Sequence, residues 1–490
     1  MTKRYRFFIF LSGFILIANL LVMNDLTILW PGAESWLAWQ GLAHEGGAFP
    51  PEMVLGIVMG GEIPHFAMRL PGVIIALLAM MAYFLISLRL FTRDMLWDTL
   101  LVLGASLLFP NLAKIAAGDI WAMATQWLAF AAMVRYLKQP TWVWRLTFYG
   151  LLLPAVWVQP LQSMIFLLGS SAFLYFLHPQ GRRLWGLNPW AVGLAFAMAL
   201  YFSGLLTFSQ EAFLIGFRTG RFLLWNLIGV LPFLGFVAAG IWETARRLGQ
   251  REEMALLNAA GLIFALLGHS LALPGILALV AARQMKNYFI PSYPYGPIVK
   301  AGALLHLVIA FCVLTPLMVA GFFQFRAVGF RAMLATGGLY WMLSFIGVIG
   351  LFGPNRRYLY GGTILGGLLL TSMFWLQANP LLQKQLDWPK RLVELSRRET
   401  KEKEAVHAYL VHRRGEAFPP LAPYCKAAYR QTRILEGEER LQEAWEEASD
   451  AVFMLKLSDA DVLKPISLPA DTLQGWDTRL RAVEYVLLVK

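Results

Sequence analysis

Apolar runs long enough to cross a bilayer recur along most of this chain, and they constrain its fold more than any other feature. A stretch of about 18 residues or more with few charges reads as a transmembrane helix. Such stretches follow one another from Phe7 to residue 376. Backbone facing lipid must satisfy its own hydrogen bonds, and the runs show no two-residue alternation, so the spans are α-helical. The length rule gives about thirteen, near 7–23, 71–88, 97–113, 119–134, 146–159, 161–177, 189–208, 222–242, 255–273, 284–299, 303–322, 332–351 and 358–376. The expected fold is an all-α polytopic membrane domain over 1–380, with a first outer loop at 24–70. Pro291, Pro294 and Pro297 crowd together, so residues 288–322 are where a span could be broken or re-entrant.

Composition excludes a soluble enzyme with a large core: 58% of residues are hydrophobic and 15% are charged. The net charge of +12 does not point to nucleic acid, because Lys and Arg sit mainly in short loops and no basic block is interleaved with aromatics. There they set topology. Lys3/Arg4/Arg6, Arg89/Arg93, Arg135/Lys138/Arg145, Arg182/Arg183, Arg246/Arg247/Arg251 and Arg356/Arg357 all fall on one side, which is then the cytoplasm. The run after Arg6 is long and no small-residue cleavage site follows it, so it reads as an uncleaved anchor. The first outer loop, the Asp119 end, 209–221, 274–290 and the tail share the other face. Cys312 lies in an apolar span and Cys425 in the polar tail, which argues against a mutual disulfide.

From Leu381 charges become dense and apolar runs shorten. Glu438–Ser449 has helical spacing at Leu441, Ala444, Trp445 and Ala448, while Ala451–Leu457 and Ala482–Val489 read as strands. Residues 381–490 are therefore expected to form a small soluble α/β domain on the outer, periplasmic face of a bacterial inner membrane.

Several outer residues could carry chemistry. Glu34, His44, Glu45, Glu52, Glu62 and His65 lie on the first loop. A carboxylate beside an acceptor hydroxyl or amine can serve as general base; each could equally be a solvated loop charge. Glu34, Glu62 and His65 have the ligand types for a divalent metal but not a recognised ligand spacing, so no cofactor is assigned. Asp119 stands at the outer end of a span, where a carboxylate is either functional or an N-cap for the helix it opens. Arg283, Lys286 and Tyr288 could hold a lipid phosphate or anchor the interface, and Arg218 with Arg221 offers a second cationic pair. His269 and His306 read as packed helix residues.

The order of short motifs resembles the GT-C superfamily of polyprenyl-phosphate-sugar-dependent glycosyltransferases, in particular the bacterial lipid A aminoarabinose transferases and the protein O-mannosyltransferase group. The matching stretches are Ala33-Glu34-Ser35, Phe49-Pro50-Pro51, Arg69-Leu70-Pro71, Ala116-Ala117-Gly118-Asp119-Ile120, Val158-Gln159-Pro160, Gly229-Val230-Leu231-Pro232-Phe233 and Met285-Lys286-Asn287-Tyr288-Phe289-Ile290-Pro291. The resemblance implies a sugar carried on polyprenyl phosphate, with Glu34 and Asp119 as catalytic carboxylates. It places the lipid phosphate near Arg283, Lys286 and Tyr288, and gives Pro50, Pro51, Arg69 and Gln159 motif roles. The chain departs from the pattern where the family's catalytic Asp falls at Ala33, its lysine before the prolines at Phe49, and its lysine after the fifth span at Gln159. Those departures keep a second reading open, a catalytically degenerate subunit of the same fold that binds a lipid or a membrane-protein partner.

Overall fold

A computed structural model describes residues 10, 13–14, 16–18, 65–115, 119–202, 219–353, 355–381, 388–399, 407–412, 421–436, 439–448, 451–456, 472–476 and 482–489. Residues 24–64 of the expected first outer loop, with Glu34, Pro50 and Pro51, lie outside the described residues, as does Arg218; its last expected residues, 65–70, belong to a helix.

The membrane part is a bundle of helices: α1 (His65–Ser87), α2 (Arg93–Ala105), α3 (Leu108–Lys114), α4 (Asp119–Lys138), α5 (Trp142–Val158), α6 (Pro160–Leu177), α7 (Pro189–Phe202), α8 (Thr219–Gly229), α9 (Leu234–Leu248), α10 (Glu253–Leu267), α11 (Leu273–Asn287), α12 (Gly296–Met333), α13 (Leu339–Phe352) and α14 (Arg356–Leu381). Among the described residues four helical runs are long and apolar enough to cross a membrane singly, and six if each bent pair counts as one span. The bent pairs are α2 with α3, at 65°, and α8 with α9, at 116°. Both interrupt stretches that read as continuous in sequence. The run from Gly296 to Phe352 is two helices folded back at Arg326, whose φ of 57° is not helical. Its arms approach pair by pair: His306 meets Tyr340, Leu314 meets Gly337, and Gly321 meets Gly329. The hairpin exposes Leu304, Val308, Phe311, Trp341 and Phe345, an apolar face that suits lipid rather than water.

One end of the bundle gathers the cations. Arg183 donates to the carbonyls of Leu137 and Lys138, each at 3.2 Å, and Lys138 pairs with Glu253. Arg247 meets Glu252 at 2.7 Å. Lys286 donates to Thr92, between Arg89 and Arg93, at 2.9 Å. Arg356 reaches Tyr360, which donates to Asp98 on α2 at 3.1 Å. The described clusters expected on one side thus share one end, called here the basic end.

The other, distal end follows from chain direction. Asp98 and Tyr360 are 262 residues apart, and Asn111 and Trp375 264 apart. A near-constant offset means α2–α3 and α14 run parallel, both from the basic end. The distal end therefore holds the close of α3, the start of α4, the α5–α6 junction, the α10–α11 junction and the close of α14.

One expected boundary is corrected. The chain does not cross at 284–299; α11 crosses at Leu273–Asn287 and carries Arg283 and Lys286 down to the basic end. Pro274 sits in the first turn of α11, where its missing N–H costs nothing, so it opens the helix instead of breaking it.

Beyond α14, helix α15 (Trp388–Glu399) leads to β1 (His407–His412), α16 (Ala422–Ala428), β2 (Gln431–Glu436), α17 (Glu439–Glu447), β3 (Ala451–Lys456), β4 (Thr472–Trp476) and β5 (Ala482–Val489). The sheet order is β2-β1-β3-β5-β4, with β1 parallel to β2 and β3 and β5 antiparallel to β3 and β4. Tyr409 stacks on Phe453 at 4.7 Å, with Trp445 and Leu441 of α17 packed over them. The tail is the expected small α/β unit.

Candidate functional site

Three ionisable residues are carried to the same corner of the distal end because a glycine lets their helices approach closely. A Cβ on Gly72 would lie 2.7 Å from the Ala113 carbonyl oxygen and 3.5 Å from Ile120 Cγ2. Arg69 is one turn before Gly72 on α1, Lys114 follows Ala113 at the close of α3, and Asp119 precedes Ile120 at the start of α4. All three are almost wholly shielded, with exposures of 1%, 0% and 0%. Burying charge is costly, and in membrane helices such groups are retained chiefly where they act on ions, protons or charged substrates.

Lys114 is held by its neighbours. Its ammonium lies over the Trp375 ring, 5.1 Å from the centroid, a cation–π contact. The Trp375 indole N–H donates to Asn111 Oδ1 at 2.7 Å, and the Asn111 amide donates to the Leu107 carbonyl at 2.6 Å. The ring is thereby fixed in plane and position.

Deeper in the same half lies a chain of neutral groups. Ser270 at the α10–α11 junction donates to Gln126 Oε1 at 2.6 Å. The Gln126 amide donates to Gln159 Oε1 at 3.2 Å and to Ser163 at 2.9 Å, and the Ser163 hydroxyl donates to the Ala155 carbonyl at 2.6 Å. Gln159 Nε2 ends the chain as a buried donor with no partner among the described residues. Gln126 stands seven residues into α4, about 10 Å below Asp119.

The expected phosphate site at Arg283, Lys286 and Tyr288 does not join this corner. Arg283 lies 3.4 Å from both Glu243 and Glu252, Lys286 is bonded to Thr92, and the Tyr288 hydroxyl donates to the Leu351 carbonyl at 2.7 Å. These residues tie α9, α11, α13 and the α1–α2 turn together at the basic end, a bundle's length from Asp119. The reason is the position of α11: a helix begun at Leu273 has turned fully across by Lys286. Arg221 falls on α8, whereas Glu34 and Arg218 lie outside the described residues. The expected site does not include Lys114, Asn111 or Trp375. Lys114 is a single lysine within an otherwise apolar stretch, the pattern that marks a functional intramembrane charge. Among the described residues no three His, Cys, Asp or Glu side chains come together.

No protein-family model matches the chain, and no curated protein does. Solved structures do. A crystal structure of ArnT from Cupriavidus metallidurans bound to undecaprenyl phosphate matches with a TM-score of 0.66, covering 99% of this chain and 98% of that chain at 14% identity. The chain has the GT-C fold. The apo structure of the same ArnT matches with a TM-score of 0.62 over the same shares. The likeness covers 99% of this chain, the α/β tail as well as the bundle. At 14% identity it is a likeness of fold.

Proposed function

We propose that the chain is a bacterial inner-membrane glycosyltransferase that moves a sugar from a polyprenyl-phosphate donor to a lipid, glycan or protein acceptor. The observation that carries this reading is the burial of Arg69, Lys114 and Asp119 together at the distal end of a GT-C fold. The donor phosphate would sit against Arg69 and Lys114, with the isoprenoid chain between helices in the bilayer. The acceptor oxygen attacks the anomeric carbon as the bond from that carbon to the phosphate oxygen breaks. Asp119, or Glu34 from the first loop, takes the acceptor's proton. The phosphate leaves as a dianion whose charge the two cations offset, so the protein chiefly positions groups and removes one proton. With the basic loops in the cytoplasm, the distal end and the α/β tail are periplasmic. The remaining partners are membrane lipids and, in the second reading below, a membrane protein.

In this reading Lys286, Arg283 and Tyr288 have no part in donor binding. Their replacement by Arg69 and Lys114 preserves the cationic cradle and moves it to the other leaflet.

The test is sugar transfer from a panel of polyprenyl-phosphate sugars by protein reconstituted in nanodiscs. Asp119→Asn and Lys114→Met should each lower transfer by at least about a hundredfold, the scale of losing one transition-state contact, with the fold kept. Unchanged transfer in both would overturn the site. The second reading, a degenerate GT-C subunit that binds a lipid or membrane-protein partner, is favoured by Ala33, Phe49 and Gln159 standing where the family pattern has ionisable residues. It gains if the wild-type protein copurifies with a stoichiometric membrane protein and turns over no carrier-linked sugar.

A further inference from the structure

We infer that Asn379, at the distal end of α14, contacts the sugar of the donor and reads a neighbouring donor–acceptor pair on it, such as two adjacent hydroxyls. This rests on the glycosyltransferase reading above and adds to it a residue that selects the sugar.

Asn379 is completely buried, and neither its Oδ1 nor its Nδ2 has a hydrogen-bond partner among the described residues. Buried side-chain amides are almost always satisfied, and each orphaned group is a standing cost that needs a reason. Gln159 and Asn226 each leave one side-chain atom unmet, whereas Asn379 leaves both the acceptor and the donor. A carboxamide offers one acceptor and two N–H donors on one planar group. What complements it is a ligand with a donor and an acceptor side by side. Vicinal hydroxyls present that pair; a phosphate, which only accepts, would leave Oδ1 unmet.

The position fits the same corner. The offset of 264 residues that sets Trp375 against Asn111 brings Asn379 level with Ile115, the residue after Lys114. Asn379 also follows Trp375 by four residues, about one helical turn, on the run that carries the ring under Lys114. An amide, an indole and a cation at one level, beside Arg69 and Asp119, form a polar corner at the end of an apolar bundle. Because Asn379 is covered, its partners are met in a state in which the covering groups have shifted to admit the sugar. Strain held in the empty state and relieved by substrate is a recurring property of binding sites.

The experiment compares binding of bare undecaprenyl phosphate with that of undecaprenyl phosphate bearing a hexose, an aminohexose or an aminopentose. Full-length wild-type protein and Asn379→Leu are measured in nanodiscs, together with the melting temperature of each without ligand. Leucine keeps the volume and removes both orphaned groups. The expected result has three parts. Wild type binds one sugar-bearing carrier at least about tenfold more tightly than the bare carrier, about the effect of one to two hydrogen bonds. Asn379→Leu keeps its affinity for the bare carrier and loses that gain. Its melting temperature is equal to or above that of wild type. The inference is overturned if the sugar-dependent gain is absent in wild type or survives in Asn379→Leu, or if the variant melts lower and loses both affinities together, as a structural residue would. Wild-type protein that does not bind even bare undecaprenyl phosphate would instead overturn the functional reading on which the inference rests.

Discussion

Lys286 donates a 2.9 Å hydrogen bond to Thr92, a residue 194 positions away in the turn between α1 and α2. That bond fixes the polarity of α11, because Thr92 sits among the basic loops. It separates the cations of α11 from Asp119 by the height of the bundle and leaves Arg69 and Lys114 beside the carboxylate.

The first prediction concerns that separation. Lys286→Ala should leave sugar transfer within about twofold of wild type, because the lost bond is an exposed one of modest worth. A loss comparable to that in Lys114→Met would return Lys286 to the site.

A second prediction uses the carboxylate under Arg283. Glu243 is buried and is met by Arg247 at 3.0 Å, by Arg283 at 3.4 Å, and by the Gln284 amide. Arg283→Met removes one of three partners, so it should cost about 1–2 kcal/mol, less than the 3–5 kcal/mol of a charge left wholly unpaired. Thermal unfolding in detergent reads this as a lowered melting point, and Glu243→Gln in the same background should recover part of it.

Much of the fold could be read from the sequence, and the reason differs from part to part. Long apolar runs such as α1 and the α12–α13 hairpin are legible because lipid contact demands apolar residues all round. The tail helix expected at Glu438–Ser449 is found at Glu439–Glu447, and the strands at Ala451–Lys456 and Ala482–Val489 match their alternating or apolar runs. Strands β1 and β2 were not expected. His407–His412 and Gln431–Glu436 mix polar and apolar residues, and their pairing is parallel and non-local. The boundary of α11 is not legible because residues 275–282, eight apolar residues beside a proline, look too short to cross, whereas protein neighbours shield its polar end. Asp119 and Arg69 were legible as charges at span ends; their convergence with Lys114 depends on a contact at Gly72 that no local pattern encodes.

Third, the approach of α9 to α12 depends on two glycines. A Cβ on Gly302 would lie 2.3 Å from Gly235 Cα, and one on Gly235 would lie 2.4 Å from the Val299 carbonyl oxygen. Small residues at such crossings let helix backbones meet where apolar surface gives no extra drive. Gly302→Ala should destabilise by about 1–3 kcal/mol through forced separation, seen as a lower melting point. Gly220→Ala, with nothing among the described residues within 4 Å of its added Cβ, is the matched control and should be near neutral.

A fourth prediction concerns pH. At the basic end the Gln180 N–H donates to His178 Nδ1 at 3.0 Å, so Nε2 carries the proton and donates to Glu253 at 3.1 Å. Burial holds the His178 pKa below its ordinary value, against the opposing pull of Glu253. Between the unfolded pKa, about 6.5, and the lower folded one, the unfolded chain binds more protons. The contribution of His178 is therefore fully present above about pH 6.5 and is lost as the pH falls toward the folded pKa. Melting points at pH 8 and pH 5.5 should differ less in His178→Asn than in wild type; equal differences would contradict the assignment.

The most direct measurement is a cryo-EM map of the protein in nanodiscs with undecaprenyl phosphate. The expected map shows phosphate density against Arg69 and Lys114, next to Asp119. Phosphate density at Arg283 and Lys286, or a distal corner closed by packed side chains with the carrier bound elsewhere, would contradict the placement of the site.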